Sequence, residues 1–457
     1  MSATTPRDAD SIRDVIDSSP ISRFQALVVG ISVGLSLVDG FDLFVMSFAA
    51  SPIAKEWSLN GSQVGLLLSS GLLGMALGSA FVAPLADRVG RRPLSIACLS
   101  LSVAGMGLAI LTTGFAGLAL CRILTGLGIG GLVASLPVII AEYSPRRRRG
   151  ALIALYAAGL PFGGIIGGFV ATFVTTELGW RASFAVGAGL TLLLLLVAVA
   201  ALPESLDFLL VRRPKRALER VNALLARMGR NLVEELPVAV RVREDRVGAA
   251  VLSGRNGIRS VLLWISYFVA YGCYLFAASW MPLLLQRSGF SSHQSINGGT
   301  LMSAGGVAGI LLFGGLALVW SARMLTVACF VGLGLTFVAI SISAGSPVLI
   351  LLVAAAMGIF GNAVAAGLFA IAPDLYPAAV RSTAVGWAVA IGRIGAIVSP
   401  VLAGLLVDQK WSTQQIFGVF APPMAVAALA TLGLGGRRLA RSRKPALDPD
   451  KATDVVS

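Results

Sequence analysis

Histidine, cysteine and charge are all scarce in this chain, and each shortage excludes something. The one histidine, His293, cannot build a metal cluster by itself. The four cysteines (Cys98, Cys121, Cys273 and Cys329) are scattered through apolar runs without metal-ligand or redox spacing, and read as packing residues. No nucleophile–base pair sits in a motif and no soluble domain is appended, so neither an enzyme nor a metal or cofactor is expected. Only 13% of the 457 residues are charged, against about 25% in ordinary soluble domains. A soluble globular protein is thereby excluded. Residues 1–20 mix acids and bases and lack an apolar run, so no cleavable signal peptide is expected and the first span serves for insertion.

What the chain has is apolar length. Hydrophobic residues make up 56% of it and the mean hydropathy is +0.85. Stretches long enough to cross a bilayer as helices fall near 24–50, 62–86, 93–113, 116–141, 151–175, 182–202, 260–285, 296–319, 324–343, 347–372, 383–407 and 414–434. The expectation is an all-α membrane protein with twelve transmembrane helices. The 53 glycines suit such helices, where small residues permit close packing. A polar stretch, 203–259, divides the chain. It carries Arg212, Arg213, Lys215, Arg216, Arg220 and Arg227 among leucines and alanines, a pattern for short amphipathic helices on a membrane surface. The expected organisation is a six-helix half over 1–202, a cytoplasmic linker over 203–259, a second six-helix half over 260–434 and a cytoplasmic tail over 435–457.

The net charge of +14 does not indicate nucleic acid, because the basic residues lie in separate short loops. Of the 36 Lys and Arg residues, Arg122 and Arg393 lie within spans, and Lys55, Arg181, Arg287 and Lys410 fall in the connections after odd-numbered spans. All the others lie in the N-terminus, the connections after even-numbered spans and the C-tail. This positive-inside bias puts both termini in the cytoplasm. The two halves also repeat. Glu142-Tyr-Ser-Pro145 followed by Arg149 recurs as Asp374-Leu-Tyr-Pro377 followed by Arg381, 232 residues later, and Gly74…Gly78…Leu85…Arg92 matches Gly305…Gly309…Leu316…Arg323 at an offset of 231. Duplication of a six-helix unit is how many secondary transporters are built, with the substrate site between the halves near the midplane.

Charges inside the spans point to the site. Asp39 and Asp42 stand mid-span in Leu35-Ser-Leu-Val-Asp-Gly-Phe-Asp-Leu-Phe-Val45, one helical turn apart on one face. A carboxylate at that depth costs about 2.5–3.5 kcal/mol on the insertion scale, so an ion or proton site is the default reading. Two such groups resist simultaneous ionisation, and with His293 in an external loop the proton role falls to carboxylates. Arg122, in Arg122-Ile-Leu-Thr-Gly126-Leu-Gly128-Ile-Gly130-Gly131, needs an anionic partner or a watery cavity. The glycines there mimic a dinucleotide fingerprint, but no strand or soluble βαβ unit accompanies them. Arg393, in Gly386-Trp387-Ala-Val-Ala-Ile-Gly-Arg-Ile-Gly395, is the second cationic group that must face a cavity, and Trp387 could stack on a planar substrate. The seventh span adds Tyr267, Phe268, Tyr271, Tyr274 and Trp280. In the fifth, Gly159, Gly163 and Gly167 form a packing stripe.

Ala83-Pro-Leu-Ala-Asp87-Arg88-Val-Gly90-Arg91-Arg92 resembles the major facilitator superfamily signature G-x-L-A-D-R-x-G-R-R, with Ala83 in place of the usual glycine. The second copy is degenerate, with Leu318 opposite Asp87. Asp39-Gly-Phe-Asp42 with Arg381-Ser-Thr-Ala-Val-Gly-Trp387…Gly-Arg393-Ile-Gly395 is similar to the aromatic acid:H⁺ symporter family. That resemblance implies import of benzoate- or hydroxybenzoate-like anions together with protons, in an inner membrane, by a monomer without cofactors. It implies proton coupling through Asp39 and Asp42, and substrate binding through Arg122, Arg393, Trp387 and Tyr271. It also implies gating through Asp87, Arg88, Arg92, Glu142, Arg149, Asp374 and Arg381. The alternatives are proton-coupled import of another organic anion, and efflux of drugs or metabolites by antiport. The fifth-span glycines resemble an antiporter motif, which is the support for efflux.

Overall fold

The computed structural model describes residues 15–17, 19–133, 135–236, 252, 254–342, 346–376 and 378–434. The expected tail 435–457, residues 237–251 of the expected linker, and Pro377 of the second acid–proline–arginine copy lie outside the described residues. Among the described residues the fold is all helical, with twelve helices long and apolar enough to cross a membrane. They are α1 (Arg23–Glu56), α2 (Gly61–Val89), α3 (Arg91–Ile110), α4 (Phe115–Tyr143), α5 (Arg146–Leu178) and α6 (Trp180–Ala201), then α7 (Asn256–Arg287), α8 (Ser292–Leu316), α9 (Ala322–Ile342), α10 (Pro347–Leu375), α11 (Thr383–Asp408) and α12 (Thr413–Gly433). Each apolar stretch of the sequence is one helix, with ends moved by a few residues. His293, expected in a loop, instead lies in the first turn of α8, because Ser291 caps that helix in a capping box with Gln294.

Short connections make neighbours antiparallel, so the helices have two ends: a basic end, where α2 meets α3 and α4 meets α5, and a far end. Within the first six spans, α1 packs on α5 and α6, and α4 on α2 and α3. Within the last six, α7 packs on α11 and α12, and α10 on α8 and α9. The two sets meet where α2 lies against α11, α5 against α8 and α1 against α7.

Glycine sets the closest of these approaches. A Cβ at Gly74 would run into the Ile123 carbonyl, and one at Gly126 or Gly130 into the carbonyls of Gly71 or Met75, so the fourth-span glycines are the surface on which α2 rests. The same device repeats at Gly305 and Gly358 between α8 and α10. Before Asp87, α2 loosens into a π turn at Gly78–Val82 and tightens into a 3₁₀ turn at Ala83–Leu85, where Pro84 has no N–H to continue the ladder. Gly90 then turns the chain at φ 107°, which L side chains avoid.

At the basic end two short helices, Leu206–Arg212 and Ala217–Arg227, follow α6. Their Leu206, Leu209, Val221, Leu224 and Leu225 are buried with Phe24 of α1 and Tyr143 of α4. Gln25 donates to the Tyr143 carbonyl at 2.9 Å, fixing the α1 entry to the α4 exit.

Candidate functional site

The site is built around the middle of α1. Asp42 and Arg122 are each 3% exposed and form a buried ion pair: Nη1 donates to one carboxylate oxygen, and Nη2 donates to the other at 2.9 Å and to the Asp42 backbone carbonyl at 3.3 Å. Such a fork matches the planar geometry of both groups. The guanidinium fits because residue 71 is glycine; a Cβ there would stand 2.8 Å from Nη2. Arg122 therefore does not snorkel to an interface, and its charge is answered inside the first six spans.

Asp39, one turn earlier, is also buried, yet among the described residues no cation comes within ion-pair distance of it. It lines a small cavity with Ser36, Ser102, Thr191 and Tyr156, and lies within electrostatic reach of Asp42 and Arg393. Arg393, half-buried on α11, has no ion pair among the described residues; its field reaches Asp39, Tyr156 of α5 and Tyr271 of α7. Electrostatic reach thus links an acid on α1 and a phenol on α5 to a guanidinium on α11 and a phenol on α7.

Apart from Tyr271, the other sequence candidates fall elsewhere. Trp387 is six residues before Arg393, about 9 Å toward the basic end at 1.5 Å per residue, and its ring lies 6.2 Å from that of Trp264. Tyr271 stacks at 6.0 Å on Tyr267, while Tyr267 and Trp280 are fully buried packing residues. The fifth-span glycines are contact surface. Gly159 and Gly163 admit α1, whereas Gly164 and Gly168 admit Ser303 and Thr300 of α8.

At the basic end, Glu142 is buried and accepts from Arg91, from Ser205 Oγ at 2.8 Å and from the Leu206 amide at 3.0 Å. Glu204 accepts from the Arg91 and Arg92 amides at 2.7 and 3.1 Å, which places a carboxylate at the α3 N-terminus. Arg92 donates to the Leu202 and Val199 carbonyls at the end of α6. Arg149 pairs with Asp17 at 2.5 Å, not with Glu142. Asp87 and Arg88 are exposed, and the contact of Asp87 with Arg91 is stretched to 4.0 Å. Asp374 and Arg381, the second-half copies of Glu142 and Arg149, are exposed and have no ion pair among the described residues. For this acid–proline–arginine motif the repeat is therefore one of sequence and not of packing, and Leu318, 87% exposed, reflects the same asymmetry.

At the far end, Asp408 of α11 accepts from the Gly61 and Ser62 amides of α2 at 2.5 and 2.9 Å. Ser47 bridges to the Ala278 and Ser279 carbonyls of α7, and Ser69 donates to the Ile397 carbonyl of α11 at 2.7 Å. The first and last six spans are thus stitched together at that end.

Three residues of interest were not singled out by the sequence or not placed in the site by it. Tyr156 and Asn362 are polar residues in apolar spans, which carry no pattern of their own. Glu204 follows the predicted span end and gains its role through the Gly90 turn.

Twelve spans in this arrangement, with charges at their centre, are the architecture of a multi-pass membrane transporter. The Major Facilitator Superfamily model matches residues 33–320 and 263–456, and the chain belongs to that family. It is similar to the gallate transporter of Pseudomonas putida, 31% identical over 449 residues, which span 95% of this chain and 97% of that protein. It is also similar to the 4-hydroxybenzoate transporter PcaK of Acinetobacter baylyi, 29% identical over 435 residues, spanning 93% and 94%. The fold matches the xylose transporter XylE from E. coli, solved in a partially occluded inward open conformation, with a TM-score of 0.72 over 92% of this chain and all of that one at 17% identity.

Proposed function

We propose that the chain is a proton-coupled symporter that imports aromatic carboxylates of the benzoate and hydroxybenzoate kind by alternating access. The names of its relatives support the substrate class. The observation that carries the reading is the division of charges: Arg122 and Asp42 answer each other, while Arg393 and Asp39 have no ion pair among the described residues and lie within electrostatic reach of each other. An anionic substrate pairs with Arg393, and a proton neutralises Asp39. In the loaded carrier both charges are compensated. In the empty carrier Asp39 and Arg393 attract each other across the gap. A half-loaded carrier holds one uncompensated charge in a poor solvent, which costs several kcal/mol and opposes reorientation. Coupling follows from that penalty.

Alternating access then consists of the two six-helix halves rocking about this centre. The far end is held by Asp408 and α2; the basic end carries Asp87, Arg88, Asp374 and Arg381 exposed and available to a closed state. Glu142, Arg92 and Arg149 brace the helices around it. The distribution of basic residues supports an inner-membrane orientation with both termini cytoplasmic.

The test is uptake of radiolabelled 4-hydroxybenzoate and benzoate by cells expressing the chain, with and without a protonophore. Accumulation that collapses with the protonophore is the expected result. No accumulation by well-expressed protein overturns the substrate class, and accumulation indifferent to the protonophore overturns proton coupling.

A further inference from the structure

We propose that Tyr274 of α7 and Asn362 of α10 form a subsite that reads a ring hydroxyl on the substrate, so that this pair sets the preference for hydroxylated over unsubstituted aromatic acids. The inference rests on the proposed function and names which part of the site selects among its substrates.

Asn362 is 8% exposed in an apolar helix. Its amide nitrogen donates to the Tyr274 hydroxyl at 2.7 Å and to the Gly358 carbonyl at 3.3 Å. Both N–H groups are therefore engaged, while Oδ1 carries no hydrogen bond among the described residues. The Tyr274 hydroxyl accepts from Asn362, which leaves its own proton to give. One open acceptor and one open donor thus stand side by side. A phenolic hydroxyl is complementary to that arrangement: it donates to Oδ1 and accepts from Tyr274. A carboxylate is not, having no proton to give Oδ1.

The pair is cradled. A Cβ at Gly361 would enter the Tyr274 ring, and one at Gly306 would stand 2.4 Å from Asn362 Nδ2. The same Gly306 position lies 3.3 Å from Pro161 of α5, so the pair borders the seam between the first and last six spans. Tyr274 is three residues beyond Tyr271, whose ring lies in the field of Arg393. That is one turn, about 4.5 Å of rise. A substrate with its carboxylate on Arg393 and its ring beside Tyr271 points a distal hydroxyl toward Tyr274 and Asn362. A site that hydrogen-bonds a substrate hydroxyl penalises the analogue without one, because its own polar groups are then left unpaired.

The test measures affinities of 4-hydroxybenzoate and benzoate for purified full-length protein, wild type against Tyr274→Phe and Asn362→Leu, with melting temperature and monodispersity recorded for each. Each variant is expected to weaken 4-hydroxybenzoate about tenfold, the loss of one hydrogen bond, and to leave benzoate within about twofold. A hydroxybenzoate-to-benzoate ratio unmoved in both variants overturns the subsite while leaving the proposed function standing. Equal loss of both acids assigns the pair to pinning α7 on α10 and also overturns it. Wild-type protein that binds neither acid overturns the proposed function, and the subsite with it.

Discussion

Arg122 holds Asp42 by both carboxylate oxygens, Nη1 on one and Nη2 on the other. The pair is too deeply buried for either charge to stand alone. Asp42→Asn strands the guanidinium, at a cost of about 3–5 kcal/mol for breaking a buried pair. The expected outcome is a large fall in melting temperature and loss of monodisperse protein on size exclusion, part of which Arg122→Gln restores in the same background. A melting temperature unchanged in Asp42→Asn would contradict the pairing.

Asp39→Asn, by contrast, removes a charge that has no ion-pair partner among the described residues. This variant folds with near wild-type melting behaviour. It exchanges substrate across proteoliposomes in counterflow but does not accumulate it against a gradient. Full proton-driven accumulation by this variant would move the coupling site elsewhere.

Among the described residues Arg393 makes no ion pair that its removal could disturb. Arg393→Gln should leave the melting temperature close to wild type while raising KM for anionic substrates about tenfold to a hundredfold, the range for one charge-assisted hydrogen bond. Arg393→Lys keeps the charge but loses the planar fork, and should fall between the two. Initial uptake rates over a range of substrate concentrations check both.

The far-end contact gives a conformational prediction. Asp408 lies across the first turn of α2, where a carboxylate meets free amides and the positive end of the helix. Asp408→Ala loses about 1–2 kcal/mol of that closure. Spin labels at the far ends of α2 and α11 should then show a larger share of long distances in double electron–electron resonance. A distribution identical to wild type would mean that Asp408 does not hold this end.

The helices were legible because apolar length and glycine content survive in a linear string, and because a charge inside an apolar run is too costly to be incidental. That argument found Asp39, Asp42, Arg122 and Arg393. It could not divide them into partners: the spacing of Asp39 and Asp42 gives a shared face, but which of the two meets Arg122 depends on the contact of α2 with α4. Tyr156 and Asn362 were invisible for the opposite reason, since a neutral polar group in a membrane helix costs little and follows no spacing. The repeat misled in one respect. Glu142 and Asp374 share a motif, yet only Glu142 has Ser205 and the Leu206 amide folded over it, because the segment after α6 has no counterpart beyond α12 among the described residues.

The placement of Asn362 and Tyr274 on α10 and α7, away from Asp39 and the Arg122–Asp42 pair on α1 and α4, separates two tasks in the chain. On the proposed function, the driving ion is handled by side chains of the first six helices and the cargo is discriminated by side chains of the last six. A lineage can then exchange one ring substituent for another by altering α7 and α10 alone, and the machinery that harnesses the proton is inherited untouched.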